Sequence, residues 1–448
     1  MREKSEQRVG TVPNVSPPPG SAALNAAATR TAEEPEARGL VCPAIETVRI
    51  GMVGLGLRGE CLLRLFVEHS GVRIQAVCDV DADRVGWARK LVAETGQQEP
   101  VGGHHGTAGF EALCDRDDLD LVVVATSWSW HVPVCVAALR AGHHVAVEVP
   151  AAVGVDECWE LVETAEAVRR HCVMLENCCY GRAEMMVLNM IRQGVLGELV
   201  HGEAGYLHDL RNDSELIGPE GAARWRLEQM ACRNGNLYPT HGLGPIAQYM
   251  NINRGDCFDY LVSMSSASRG LSGFYAEKFG ASHPLATRDY ALGDVNMTLI
   301  RTLNGRTITV GHGTQSPRPY SRVNTIQGTR GIFQGYPDRI ALESHEGGHA
   351  WQSLDDYRSQ YEHPLWRRLA DQAEGHGHDG MDFMLIHRLV HCLRTGVAPD
   401  MDVYDAAAWS VIGPLSEQSH GTRSMPVAIP DFTRGRWKSN PALEIGDG

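Results

Sequence analysis

A strand, a glycine-rich turn and a helix in immediate succession constrain this chain most. Val48-Arg49-Ile50-Gly51-Met52-Val53 has the pattern of a buried strand. Gly54-Leu55-Gly56-Leu57-Arg58-Gly59 follows without a break, and Glu60 to His69 continues with helical periodicity. A chain with 48 glycines produces a G-x-G-x-x-G by chance, so its place between strand and helix carries the weight. Gly54 permits the tight turn, and Gly56 lets a pyrophosphate approach backbone N–H groups at the positive end of the helix. Gly59 lets helix and strand pack closely. A second alternating strand, Val72 to Asp79, ends in a carboxylate 79 − 59 = 20 residues past the last glycine. That carboxylate suits the ribose hydroxyls of adenosine and favours NAD over NADP.

The alternation continues. Asp83 to Glu94 is helical, Leu119 to Thr126 a strongly apolar strand, His131 to Ala141 a helix and His144 to Glu148 a strand. This order predicts an N-terminal Rossmann unit, a doubly wound parallel sheet of the α/β class. Past residue 170 the strands lengthen and become more polar: Leu199 to Leu207, Tyr260 to Ser266, Val295 to Thr302 and Thr307 to Gly311. They predict an α+β domain with a mixed, largely antiparallel sheet. Met381 to Leu393 and Val403 to Ile412 read as helices that return to the first domain. Residues 1–46, with Pro17-Pro18-Pro19 and no periodic apolar face, read as a disordered extension. The expected domains are then 47–170 for the cofactor and 171–435 for the substrate, with a tail over 436–448.

A formal net charge of −14 argues against a nucleic-acid surface. No apolar run reaches the roughly 18 residues of a membrane span, and Glu3, Lys4, Glu6 and Arg8 leave no apolar core for a signal peptide. A cytoplasmic enzyme with no membrane contact is the expectation. The 12 cysteines contain no C-x-x-C pair and read as free, mostly buried thiols.

Two stretches carry chemistry. Ala125-Thr126-Ser127-Trp128-Ser129-Trp130-His131 closes the third apolar strand at the carboxyl edge of the sheet, where cofactor and substrate meet. Arg233-Asn234-Gly235-Asn236-Leu237-Tyr238-Pro239-Thr240-His241 sets a cation, two amides, a phenol, a hydroxyl and an imidazole in nine residues. It reads as a shaped loop, the floor of a polyol or sugar pocket, entering a helix near Ile246. His208 either pairs with Asp209 in the fold or joins the pocket. His376 and His378 look like a metal loop, although the resemblance drawn below needs no metal.

With Glu148-Val149-Pro150 ending its strand, the chain resembles the Gfo/Idh/MocA oxidoreductases. Members typically carry Glu-Lys-Pro there and Asp-x-Gly-x-His on the substrate domain. Val149 replaces the lysine, while Leu237 and Pro239 stand where Asp and Gly would precede His241. An ordinary dehydrogenase is therefore disfavoured. Four strings resemble glycoside hydrolase family 109: Gly205-Tyr206-Leu207-His208-Asp209-Leu210-Arg211, Trp225-Arg226-Leu227, Gly235 to Gly242 and Met250 to Asp256. Gly380-Met381-Asp382-Phe383 and Asp402 to Ala407 extend the likeness over about residues 47–435.

The resemblance implies an NAD-dependent α-N-acetylgalactosaminidase. It would work by oxidation at sugar C3, elimination across C1–C2, addition of water and re-reduction, with NAD recycled. The alternative is a sugar or polyol dehydrogenase that releases NADH. The resemblance assigns proton transfer to His241 and Tyr238. Sugar contacts fall to Tyr206, Arg226, Tyr238, Pro239, Thr240, His241 and Tyr320. Beside the glycines Gly54, Gly56 and Gly59, the cofactor positions are Leu57, Arg58, Asp79, Trp128, Ser129, Trp130, His131, Glu148, Val149, Asn177 and Tyr238. It also implies a homo-oligomer paired through the open face of the second sheet, acting on a small glycoside.

Overall fold

The computed structural model describes residues 36–105, 109–217, 224–343 and 350–446. Two sheets organise it. The first holds β1 (Val48–Val53), β2 (Val72–Asp79), β3 (Val101–His105), β4 (Leu121–Val124), β5 (His144–Val147) and β6 (Cys172–Met174). Their order is β3-β2-β1-β4-β5-β6 and every pairing is parallel. The order reverses direction between β1 and β4, so a crevice opens beyond their carboxyl ends. β4, β5 and β6 are buried at every residue, as strands covered on both faces must be. The Rossmann expectation holds, with two strands added. Val101-Gly102-Gly103-His104-His105 has one strand-forming side chain, Val101, and Cys172-Val173-Met174 is too short to show a period.

The second sheet holds β7 (Leu199–Leu207), β8 (Phe258–Ser265), β9 (Asn296–Thr302), β10 (Thr307–Gly313), β11 (Thr325–Gly328), β12 (Gly331–Gln334), β13 (Arg339–Leu342), β14 (Gln352–Ser353) and β15 (Val427–Ala428). Their order is β14-β13-β12-β11-β7-β10-β9-β8-β15. Only β7 and β10 run parallel, so the sheet is mixed and largely antiparallel as expected. In β9 residues alternate buried and exposed, which turns Met297 and Leu299 outward on the open face.

Helix Thr240–Tyr249 lies on the covered face and corrects one expectation. Thr240 and His241 were expected in a loop, yet they open this helix. The glycines that resembled breakers act as contact points instead. A Cβ on Gly242 would stand 2.3 Å from the backbone nitrogen of Gly205 in β7, and one on Gly244 would stand 3.0 Å from Glu176 Cγ. Helix and strand meet backbone to backbone because Gly242 lacks a side chain, and Gly244 leaves room for neighbouring side chains.

The C-terminal helices reach the first sheet. Met381–Thr395 sends Asp382 to Arg58 in the glycine turn, at 2.9 Å. Val403–Ser410 sends the Tyr404 hydroxyl to Glu166 in helix Val155–Val168, at 2.7 Å. The helix expected over Val403 to Ile412 is two helices, the second spanning Ile412–Gly421. Of the extension expected over residues 1–46, residues 1–35 lie outside the described residues. Within the rest, Ala37 N–H donates to the Tyr404 hydroxyl at 3.1 Å and Arg38 pairs with Asp402 at 2.9 Å. None of the 12 cysteines forms a disulfide. Among the described residues no helix is long and apolar enough to cross a membrane.

Candidate active site

The glycine turn has the shape a dinucleotide needs. Gly54 has φ +92°, and a Cβ there would stand 2.4 Å from Ala125 O. A Cβ on Gly59 would stand 2.1 Å from Gly54 O, so any side chain would push the helix away from the strand. Helix Leu57–Glu68 begins at Gly56 with no side-chain cap, which leaves its first N–H groups available to an anion. Asp79 accepts from Leu55 N–H at 2.6 Å and from Asp81 N–H at 2.9 Å, holding the turn to the end of β2. The donors, the open backbone at Gly56 and the carboxylate fit an adenine dinucleotide.

Arg58 anchors the far side of this turn. It donates to Glu148 Oε1 at 2.9 Å and to both oxygens of Asp382 at 2.9 and 3.1 Å. Asp382 also accepts from Asn177 Nδ2 at 2.8 Å and from His378 Nδ1 at 2.7 Å. Burial alone would raise its carboxyl, but the bonds from His378 and Arg58 outweigh that and hold it well below the usual carboxylate range. Arg58, Asn177 and His378 thus converge on one carboxylate, and Glu148 joins it through Arg58. Leu57 is exposed, and Val149 is buried beside Pro150.

The Trp128–His131 turn divides. Trp128 is buried and stacks on Tyr238 with ring centres 5.7 Å apart and planes 23° apart. Trp130 is exposed and meets Phe110 edge-on, while Ser129 Oγ accepts from Gln229 at 3.5 Å. His131 is buried at the start of helix His131–Arg140. Its Nδ1 lies 2.8 Å from Pro150 O and its Nε2 3.1 Å from Thr126 O, so both nitrogens serve the backbone.

Tyr238 is the junction. One side meets Trp128 from the first sheet; the other meets Tyr206 of β7, with ring centres 4.6 Å apart. The Arg226 guanidinium lies over Trp128, Trp225 and Tyr238 at 5.1, 4.8 and 5.3 Å from their ring centres. Burial raises the Tyr238 phenol well above its usual range, against the pull of Arg226, so it remains a donor. Its hydroxyl lies 3.4 Å from Nε2 of His241. His241 Nδ1 donates to Glu176 Oε1 at 2.7 Å, and Glu176 is completely buried. Burial alone would raise Glu176; the charge and hydrogen bond of His241 bring it below its usual range. Tyr320 stands edge-on to Tyr206 at 6.2 Å and to His208 at 5.0 Å. Pro239 precedes the helix, and Thr240 is buried in its first turn.

Some polar residues of the sugar motif lie elsewhere. Arg233 pairs with Glu417 and donates to Val153 O at 3.1 Å. Asn234 bonds His420 at 3.0 Å, and Asn236 donates to Val310 O at 3.1 Å. These three pin the segment down, while Tyr238 and His241 meet each other at 3.4 Å. His208 shares a hydrogen bond with the Tyr206 hydroxyl at 3.2 Å, while Asp209 pairs with Arg211 at 2.8 Å. Glu176 and His312 join the cluster unannounced by sequence, and Trp225, quoted there only within a family string, joins it too. The His312 ring lies 6.5 Å from that of Tyr206, and burial pulls its imidazole down to about 3.

Residues 180–439 match the family model for the glycosyl hydrolase 109 C-terminal domain. Residues 48–176 match that for the oxidoreductase family with an NAD-binding Rossmann fold. The chain belongs to glycosyl hydrolase family 109. A family 109 protein of Solibacter usitatus (strain Ellin6076) is 52% identical over 396 residues, 88% of this chain and 90% of that one. A second, from Shewanella sp. (strain ANA-3), is 49% identical over 411 residues, 91% of this chain and 90% of its own. Among solved structures, levoglucosan dehydrogenase in complex with NADH and levoglucosan aligns with a TM-score of 0.68 at 18% identity. That alignment covers 86% of this chain and all of the other. It establishes likeness of fold. This family 109 chain is thus a glycosidase that uses NAD, and Tyr238 stands where its Rossmann crevice meets its second sheet.

Proposed function

We propose that this chain hydrolyses terminal α-N-acetylgalactosaminides, with His241 and Tyr238 moving protons at the sugar. One observation carries this reading. Tyr238 stacks on Trp128 at the cofactor edge and brings its hydroxyl to 3.4 Å from His241 Nε2 on the sugar side. Bound NAD⁺ supplies a reversible hydride acceptor for the sugar C3 carbon. His241 Nε2 takes the C3 hydroxyl proton, directly or through the Tyr238 hydroxyl, and returns it at the end. Tyr206, Arg226 and Tyr320 hold the ring: the phenols offer hydroxyls, and the guanidinium offers paired donors to ring or acetamido oxygens. The glycine turn, Asp79 and Glu148 hold the dinucleotide, and Arg58 with Asp382 and Asn177 locks that turn to the C-terminal helix.

The open face of the second sheet suits pairing of two copies. Met264 opposes Met297 across β8 and β9, and both are more than half exposed, as Leu299 nearly is. Pairing through this face would take those side chains out of water.

The enzyme, with NAD as purified, is expected to release nitrophenol from nitrophenyl α-N-acetylgalactosaminide with no added nucleotide and no net NADH. His241→Ala is expected to abolish release while retaining bound NAD. Nitrophenol release that survives His241→Ala would remove the imidazole from the reaction.

A further inference from the structure

Glu176 has an unusual setting for a carboxylate. It follows β6 at the edge of the Rossmann sheet, and its side chain is 0% exposed. Its Oε1 accepts from Cys178 N–H at 3.1 Å and from His241 Nδ1 at 2.7 Å. A buried carboxylate persists only where a strong donor or a cation meets it, and the imidazole is that partner. The histidine's own segment supplies no acid: the residues before it are Leu237, Tyr238, Pro239 and Thr240. Both lie at a close approach of two elements, because Gly244, three residues after His241, leaves room for the Glu176 side chain.

We propose that Glu176 is a positioning residue for His241, holding its Nδ1–H so that Nε2 presents a lone pair to the Tyr238 hydroxyl and the sugar. This rests on the reading of His241 as the base. With Nδ1–H donated to Glu176, the neutral ring has one place for an arriving proton, Nε2. The sugar hydroxyl proton moves there, the oxygen keeps the bonding pair, and the ring becomes an imidazolium facing an ionised carboxylate. Glu176 stays ionised throughout; the same proton leaves Nε2 when the hydroxyl is restored. The charge pair strengthens only when the ring is protonated, as required of a group assisting proton removal.

Other charged or titratable groups face this pair. From its own segment comes Tyr238, from β7 Tyr206 and just past its end His208, from the Glu176 turn Cys178, and from helix Trp225–Cys232 Arg226. Burial raises the Tyr238 phenol and the Cys178 thiol well above their usual ranges, and it lowers His208. Glu176, Cys178 and His241 bring one ligand atom each within 4.8 Å of the others. The thiol stays protonated and points its hydrogen at Asn177 Oδ1, 3.4 Å away, which makes this a proton-handling pair beside a neutral thiol.

Two measurements on the full chain carrying its NAD test the proposal. Glu176→Gln is expected to lower kcat/KM by about 10²- to 10⁴-fold, because the amide keeps the shape and loses the charge. The acidic limb of the kcat/KM profile should move down, because the variant loses the negative charge facing the protonated ring. NAD content and far-UV circular dichroism should stay as in the wild type, and Glu176→Asp should recover part of the activity. Activity within threefold of wild type with an unmoved limb would overturn the proposal. So would a loss that merely tracks lost NAD. The second measurement needs no variant: ¹⁵N-histidine NMR of the wild type should show His241 as the Nδ1–H tautomer, and an Nε2–H tautomer would overturn the assignment. This tautomer readout does not depend on which sugar reaction occurs, so a failure of the glycosidase reading is separately visible. Dialysis against a chelator should change neither readout; loss of activity would mark these residues as metal ligands instead.

Discussion

Asp382→Asn tests how the C-terminal helix holds the cofactor turn. The wild-type carboxylate is 1% exposed and accepts from Arg58, Asn177 and His378. Removing one partner of a buried pair costs about 3–5 kcal/mol when the remaining charge is left alone. Here Arg58 keeps Glu148 at 2.9 Å and is 28% exposed, so the expected loss is smaller, about 2–3 kcal/mol. For a chain this long, that corresponds to a melting shift of about 2–4 °C. The sign with pH follows from the depressed carboxyl. Its contribution is complete above the unfolded carboxyl range, about 4, and disappears as pH falls below that toward the folded value. Urea denaturation at pH 7, followed by fluorescence and circular dichroism together, measures it. His378→Ala is the control, because that side chain is 51% exposed and its bond to the same carboxylate is worth about 1 kcal/mol or less. Equal losses in the two variants, or a loss below about 1 kcal/mol for Asp382→Asn, would refute the reasoning.

Further outcomes follow from single contacts. Gly242→Ala drives a Cβ into the Gly205 backbone and should cost about 2–3 kcal/mol, whereas Gly273→Ala, with open space around it, should be neutral or mildly stabilising; thermal melts compare them. Replacing Met297 and Leu299 together by Asp should convert a dimer to a monomer in light scattering, and an unchanged mass would exclude that face. Burial lowers His144 to about 3 and His171 to about 4, below an unfolded value near 6.5. Their contribution is therefore full above about pH 6.5 and is lost as pH falls through 6 toward 4; His171→Phe should flatten that decline in urea midpoints.

The Rossmann half was legible because its signals are local. Each strand's apolar run and the turn from Gly54 to Gly59 lie within a few residues of what they specify. The second sheet was legible as alternating strands, but its open face emerges only from the pairing of Met264 with Met297. The site was readable where a motif concentrates it: Tyr206, Arg226, Tyr238, His241 and Tyr320 do come together. Polarity alone misled at Arg233, Asn234 and Asn236, whose partners are Glu417, His420 and a β10 carbonyl. Glu176 carried no sequence signal, and Asp382 appeared only inside a family string with no role attached. Their partners lie 65 residues away at His241 and 324 away at Arg58, separations at which one sequence carries no periodic signal.

The central claim is that His241 and Tyr238 serve a glycoside cleavage in which NAD is recycled. Nitrophenyl α-N-acetylgalactosaminide turned over in deuterated water, with the sugar product examined by NMR, tests it most directly. The account predicts nitrophenol release, deuterium at C2 of the released sugar and no net NADH. Absence of nitrophenol with NADH accumulating on free sugars would contradict it and make the chain a dehydrogenase.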